Sequence, residues 1–422
     1  MQILIKSAKI IAPLSPLHGQ TQDIFIQNGV ITNIADNIAA ADGAKVITGN
    51  NLHVSSGWMD VFAQFCDPGQ EYKEDLSSGA NAAAKGGFTT VMIVPNTQPA
   101  LHTKTQIEYV LSKTRYGAVT VLPIGAISKN LEGTSLAEMY EMRQTGAIAF
   151  SDGLKPVQAS GIMLKALQYV KAFNGTVIQL PDDTSISGHG LMHEGIFSTQ
   201  LGMPGKPAIA EEIMIRRDLE LAKYTGSNIH FTAVSTRKSV ELIAAAKADG
   251  IKVTCSVTPY HLLFTEADMV TYNSFLKVNP PLRSADDVQA LKDAIKSGIV
   301  DCIATHHQPQ DWDAKQVEFE YAKNGMTGLE SCFGALRKAL PDVPLDRLIT
   351  MLTTSPRAIF GLPETAIAKD AIADLTCFEP DEKYTFTDQH IGSKSRNTPF
   401  LGMELTGKAK AIVHNKLLFE NH

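Results

Sequence analysis

Residues 1–55 alternate apolar and polar positions in short runs: ILIKSAKIIA, DIFIQNGVITNIA and AKVITGNNLHV. A period of two is the signature of half-buried strands, and Asn28-Gly29 between two such runs predicts a tight hairpin. The chain from 367 to 422 reads the same way, through ADLTCFEP, YTFTD and AKAIVHNKLLFE, with a turn at His414-Asn415-Lys416. The middle, 56–366, changes character. Short β-branched runs alternate with helical stretches that often stop at a glycine. The strand candidates are GWMDVFAQF, TTVMIVP, AVTVLPIGAI, AIAFSDG, TVIQLPDD, NIHFTAVST, KVTCSVTPY and DCIATHHQP, eight in all. The helical stretches include TKTQIEYVLSKTRYG, AIAEEIMIRRDLELAKYTG and SVELIAAAKADG. Eight strand–helix units predict an α/β fold with a (β/α)8 TIM-type barrel. An open doubly wound sheet is the alternative, but no glycine-rich phosphate loop follows any strand. The two β-rich ends are expected to pair into one small sheet domain beside the barrel.

Composition narrows the partners. The 422 residues are 44% hydrophobic and 19% charged, with a formal net charge of -6. That balance argues against nucleic acid and against an anionic membrane surface. The start, MQILIKSAKIIAP, alternates like a strand and lacks a signal peptide's apolar region, and no transmembrane run is read. Five scattered cysteines (Cys66, Cys255, Cys302, Cys332, Cys377) contain no CxxC and suggest free thiols in a reducing cytoplasm.

Ordered motifs then carry a resemblance. They are YKED at Tyr72–Asp75, GGFTTV at Gly86–Val91, PNTQP at Pro95–Pro99 and FSDG at Phe150–Gly153. LGMPGKPAIAEE at Leu201–Glu212, VSTRKSVELI at Val234–Ile243, KVNPPLR at Lys277–Arg283 and the stretch from Ser393 to Gly402 follow. In this order the chain resembles the dihydroorotases of the cyclic amidohydrolase superfamily over nearly its whole length. The resemblance implies a metal-dependent barrel enzyme of pyrimidine biosynthesis, with zinc held at the strand ends.

The residues at the implied metal positions depart from that pattern. The paired histidines of the first strand are Phe62 and Gln64, and the substrate-gripping arginine is Cys66. An acid remains at Asp152. The histidines of the fifth and sixth strands are Leu180 and Ala233, although His230 lies three residues earlier. On the eighth strand the metal-binding acid is His306, and the substrate-binding histidine is Gln310. Of six implied metal positions, only Asp152 keeps the family residue type. Asn96 and Asn279 match positions that hydrogen-bond the substrate ring.

Magnitude gives these changes weight. Bound zinc lowers the pKa of water from about 15.7 to about 7, whereas a lone general base supplies only ~10²–10⁴-fold. A catalytic zinc needs three protein ligands. Asp152 and His306 would supply two, and Gln64 is a poor third. Plainer readings stand beside each candidate. Asp152 before glycine suits a turn. His306-His307 suit one inward and one outward side chain of a strand. His189 and His193, four apart, sit among glycines that favour a loop over a metal-binding helix. Cys66 suits a buried thiol, and Asn96 and Asn279 adjoin prolines in loops.

The sequence therefore leads to an expectation of a dihydroorotase-like protein without zinc or hydrolase activity. It would serve as a structural or regulatory subunit, with aspartate carbamoyltransferase as an implied partner and a homodimer as the expected assembly. Two alternatives remain open: an active dihydroorotase or other cyclic amidohydrolase with a rebuilt site, and a sensor that binds a pyrimidine precursor.

Overall fold

The computed structural model describes residues 1–421. Its centre is a ring of parallel strands. Trp58–Ala63, Phe88–Ile93 and Thr120–Pro123 form one arc, and Thr176–Gln179, Asn228–Phe231, Val253–Val257 and Cys302–Ile303 form the other. Phe150 joins the arcs through single bridges to Gly125 and Val177, and Ala63 bridges His307 to close the ring. The barrel is thus an (β/α)8 ring. Two expected strands are shorter than their sequences suggest. AIAFSDG contributes only the bridges at Phe150, and DCIATHHQP only Cys302–Ile303. Asp152 accepts from the Ser128 N–H just beyond the fourth segment, and His306, three residues past the end of the eighth, has a left-handed φ of 46°.

The seam between first and last strands is pinned by a side chain. Asp60 is fully buried and accepts from the Thr305 N–H (2.6 Å) and hydroxyl (2.9 Å). Burial without a cation lifts its pKa to about 6.

Helices cover the ring. Leu76–Gly86 starts where Asp75 accepts from the N–H groups of Ser77 and Ser78, and it ends at Gly87, whose φ of 90° suits glycine. Lys104–Thr114, Ile209–Thr225 and Arg237–Ala248 occupy the expected helical stretches.

The chain ends form one eight-stranded sheet. Its order is Leu417–Glu420, Glu404–His414, Leu375–Thr385, His53–Ser56, Gln2–Ile11, Thr21–Gln27 and Val30–Ala35, with Lys45–Ile47 paired to Gln2–Ile11. Asn28 and Gly29, both at positive φ, make the hairpin turn, and Asn415-Lys416 make another. The sheet docks on the barrel through Trp58, whose ring meets Phe333 at 4.7 Å and Phe378 at 5.3 Å. Among the described residues no helix is long and apolar enough to cross a membrane.

Candidate functional site at the barrel mouth

The C-terminal ends of the barrel strands converge on a mouth that is largely filled. Phe62, 1% exposed, lies flat on the His306 imidazole, ring centroids 4.3 Å apart and planes 18° from parallel. His306 Nε2 is hydrogen-bonded to Thr232 Oγ1 at 2.7 Å. Thr232 in turn accepts from Ser256 Oγ (3.1 Å), which also meets His230 Nε2 at 3.1 Å. His230, His261 and His306 are all buried, and burial pushes each pKa down to about 3, so all three are neutral. His230, which the sequence set apart from the lost sixth-strand ligand, is therefore linked to His306 through two hydroxyls.

The other positions are equally committed. Gln64 donates from Nε2 to Asn96 O at 3.1 Å. Asp152 accepts from the N–H groups of Ile127 (3.0 Å) and Ser128 (2.9 Å) and from the Ser128 hydroxyl, which ties the third and fourth loops together. Its pKa is raised, burial outweighing these donors. Leu180 and Ala233 are buried carbon, Ala233 at a positive φ of 53°. Cys66 is buried too, and desolvation lifts its thiol to about 12, which makes it a poor nucleophile.

Gln310 donates to Asn324 O at 2.8 Å, leaving Oε1 without a donor. Asn96 bridges the Asp152 carbonyl and the Leu154 N–H. Asn279 accepts from Lys206 at 2.5 Å. His307 faces the opposite way from His306. Its Nδ1 accepts from Gly328 and Leu329 N–H groups, and its Nε2 faces the buried Glu74 at 3.5 Å. His189 lies in a turn, and His193 lies in the two-residue strand Met192–His193, where its Nδ1 meets Arg283 at 3.2 Å. No helix joins the two histidines, in keeping with the glycines around them.

This donor set offers zinc little. Among the described residues no three His, Cys, Asp or Glu side chains cluster to hold a metal ion. Asp152 and His306, the two retained candidates, are each spent on a neighbouring hydroxyl. The residues do not fit the metal.

Sequence reasoning missed Lys206, which is buried and donates to Asp182 at 2.6 Å as well as to Asn279. It also missed Arg283, 2% exposed and paired with Glu211 at 3.3 Å, and Asp60 at the seam. The signal was the charge itself: each lies in an apolar or Pro/Gly-rich stretch where a charge costs desolvation unless it is paired.

The barrel with its end sheet is a fold shared with solved hydantoinases. An L-hydantoinase (dihydropyrimidinase) from Arthrobacter aurescens superposes with a TM-score of 0.84 at 21% identity, covering 99% of this chain and 96% of that one. A D-hydantoinase from Thermus sp. gives 0.80 at 20% identity, with 99% and 94% covered. Sequence comparison is more specific. A dihydro-orotase-like family profile matches residues 53–239. A dihydroorotase from Trichlorobacter lovleyi is 38% identical over 423 residues, 99% of each chain. One from Ruminiclostridium cellulolyticum is 40% identical over 417 residues, 98% of this chain and 97% of that one. The chain belongs to the dihydroorotase family.

Proposed function

We propose that this member of the family no longer works through a bound metal, and that it acts as a structural or regulatory subunit in pyrimidine biosynthesis. The observation that supports this reading is the Phe62–His306 stack, which puts two packed rings at two of the positions assigned to metal ligands. Catalysis on an amide ring at neutral pH needs an activated water or a polarised carbonyl. The neutral, hydrogen-bonded His306 supplies neither, and Cys66 stays protonated. The centre of the mouth is packed, and the subunit role would rest on the outer surface. Aspartate carbamoyltransferase is the proposed partner, and a homodimer the proposed assembly. Ile196, Val270 and Tyr272 are large apolar side chains exposed near one another, with the Tyr272 hydroxyl on Leu201 O at 2.9 Å joining their segments.

A second reading has a specific observation behind it. Relatives named dihydroorotase match the whole chain at 38–40% identity, which favours an active dihydroorotase with a rebuilt site. A sensor of a pyrimidine precursor is less favoured, because Asn279 lines the mouth cavity whereas Asn96 is spent within the loops.

The deciding experiment is metal analysis of the purified protein, together with ring closure of carbamoyl aspartate assayed with zinc, manganese and cobalt added. No stoichiometric metal and no turnover above background is the expected result. Stoichiometric metal with turnover lost to a chelator would restore the hydrolase. Co-purification with aspartate carbamoyltransferase tests the subunit role separately.

A further inference from the structure

At the end of the barrel opposite the mouth, a cavity of about 510 Å3 opens where Thr176, Asn228 and Val253 begin their strands. The buried Phe360 and the half-buried Phe173 are part of its wall. Its only charged side chains are Arg143 and Lys252, and no carboxylate lines it. Neither cation forms an ion pair among the described residues, although the chain as a whole carries a net charge of -6. Arg143 spends only Nη1 on the protein, donating to the carbonyls of Ala147 (3.2 Å) and Ile148 (3.4 Å), so Nε and Nη2 remain as donors. Asn174, also in the wall, accepts from Asn228 Nδ2 through Oδ1 at 3.3 Å, and its own Nδ2 remains a donor.

We propose that this cavity binds a flat-ringed organic anion of about nucleoside monophosphate size. Arg143 and Lys252 hold the anionic group, Asn174 Nδ2 donates to it, and the ring packs against Phe173 and Phe360. The charge of the wall selects the sign of the ligand. A cation would face two like charges with no carboxylate to offset them. An N–H bond from guanidinium or ammonium to a phosphate is charge-assisted and stronger than a neutral one. The aromatic residues select the rest: a bare inorganic anion leaves them unused, whereas a planar ring gains apolar burial and ring contact. The volume falls within the roughly 300–1,000 Å3 of small-molecule sites. This inference goes beyond the proposed function and does not rest on it, because none of the residues assigned to the mouth lines this cavity.

The test is calorimetric titration of the intact protein with UMP, which carries one flat ring and one phosphate, and separately with uridine and with inorganic phosphate. Saturable UMP binding that weakens with added salt is expected. Uridine and inorganic phosphate should each bind at least about tenfold more weakly. Arg143→Gln should weaken UMP by about tenfold, but it also takes a donor from the Ala147 and Ile148 carbonyls. Lys252 is exposed, so Lys252→Glu is the deciding variant; it should weaken UMP by at least about tenfold while the melting temperature holds. Absent UMP binding, or binding untouched by Lys252→Glu, would overturn the proposal. Inorganic phosphate binding as tightly as UMP would overturn it too, since the aromatic wall would then contribute nothing.

Discussion

Phe62 and His306 stack face to face at 4.3 Å, first strand against last, across the mouth of the barrel. The contact packs two rings at positions that the resemblance assigns to metal ligands. A neutral imidazole pressed on a phenyl ring, with its Nε2 bonded to Thr232, stabilises the ring closure.

Truncating this contact should be costly. Phe62→Ala removes a ring that is 1% exposed and is expected to destabilise the protein by about 3–5 kcal/mol. Urea unfolding of the variant against the parent measures it. A loss below about 1 kcal/mol would mean that the ring is not part of a tight core.

Chelation should change nothing. Prolonged dialysis against EDTA is expected to leave the melting temperature and the assembly state as they were, because no three His, Cys, Asp or Glu side chains cluster among the described residues. Differential scanning calorimetry and light scattering read both, and a fall in melting temperature would point to a structural metal.

The barrel seam gives a third expectation. Asp60→Ala leaves the Thr305 N–H and hydroxyl without their acceptor inside the core. The expected loss is about 2–4 kcal/mol, and Asp60→Asn should recover part of it. Equal losses for both variants would mean that the charge matters more than the hydrogen bonds.

Acidity tests the buried histidines. His230, His261 and His306 are pushed down to about 3 from an ordinary 6.5, so the unfolded chain takes up protons that the folded one refuses. Their contribution is whole above pH 6.5 and drains away as the pH falls toward 3, by about 1.4 kcal/mol per unit for each. Asp60 and Asp218 act in the opposite sense. Burial raises them to about 6 and about 7, so their contribution is whole below 3.8 and is lost as the pH rises through those values. Between pH 4 and 6 three histidines oppose two aspartates, and these groups together should make stability rise with pH. Asp218→Asn should steepen that rise. Urea midpoints across the window give the slope, and a flat or falling profile would show one of the imidazoles to be protonated.

Local pattern carried much of the architecture. Alternation at Ile3–Ile11 and Asp23–Gln27, the Asn28-Gly29 turn and the Asp75 cap each follow from side chains acting on their own few neighbours. Seven of the eight barrel strands are present because β-branched runs need cover on both faces. The shortened eighth strand was not legible, since His306 just beyond it has a positive φ and its side-chain partners, Phe62 and Thr232, are distant in sequence.

By its residue types alone the chain determined that Phe62, Leu180 and Ala233 bring no lone pairs to the barrel mouth, because a carbon side chain brings none in any fold. What became of the donors left over was decided only in three dimensions. Asp152 turned to its neighbouring loop, His306 to Thr232, and Lys206 to Asp182 and Asn279. A buried polar atom must find a partner wherever the folded chain brings one, and those partners lie from 24 to 74 residues away.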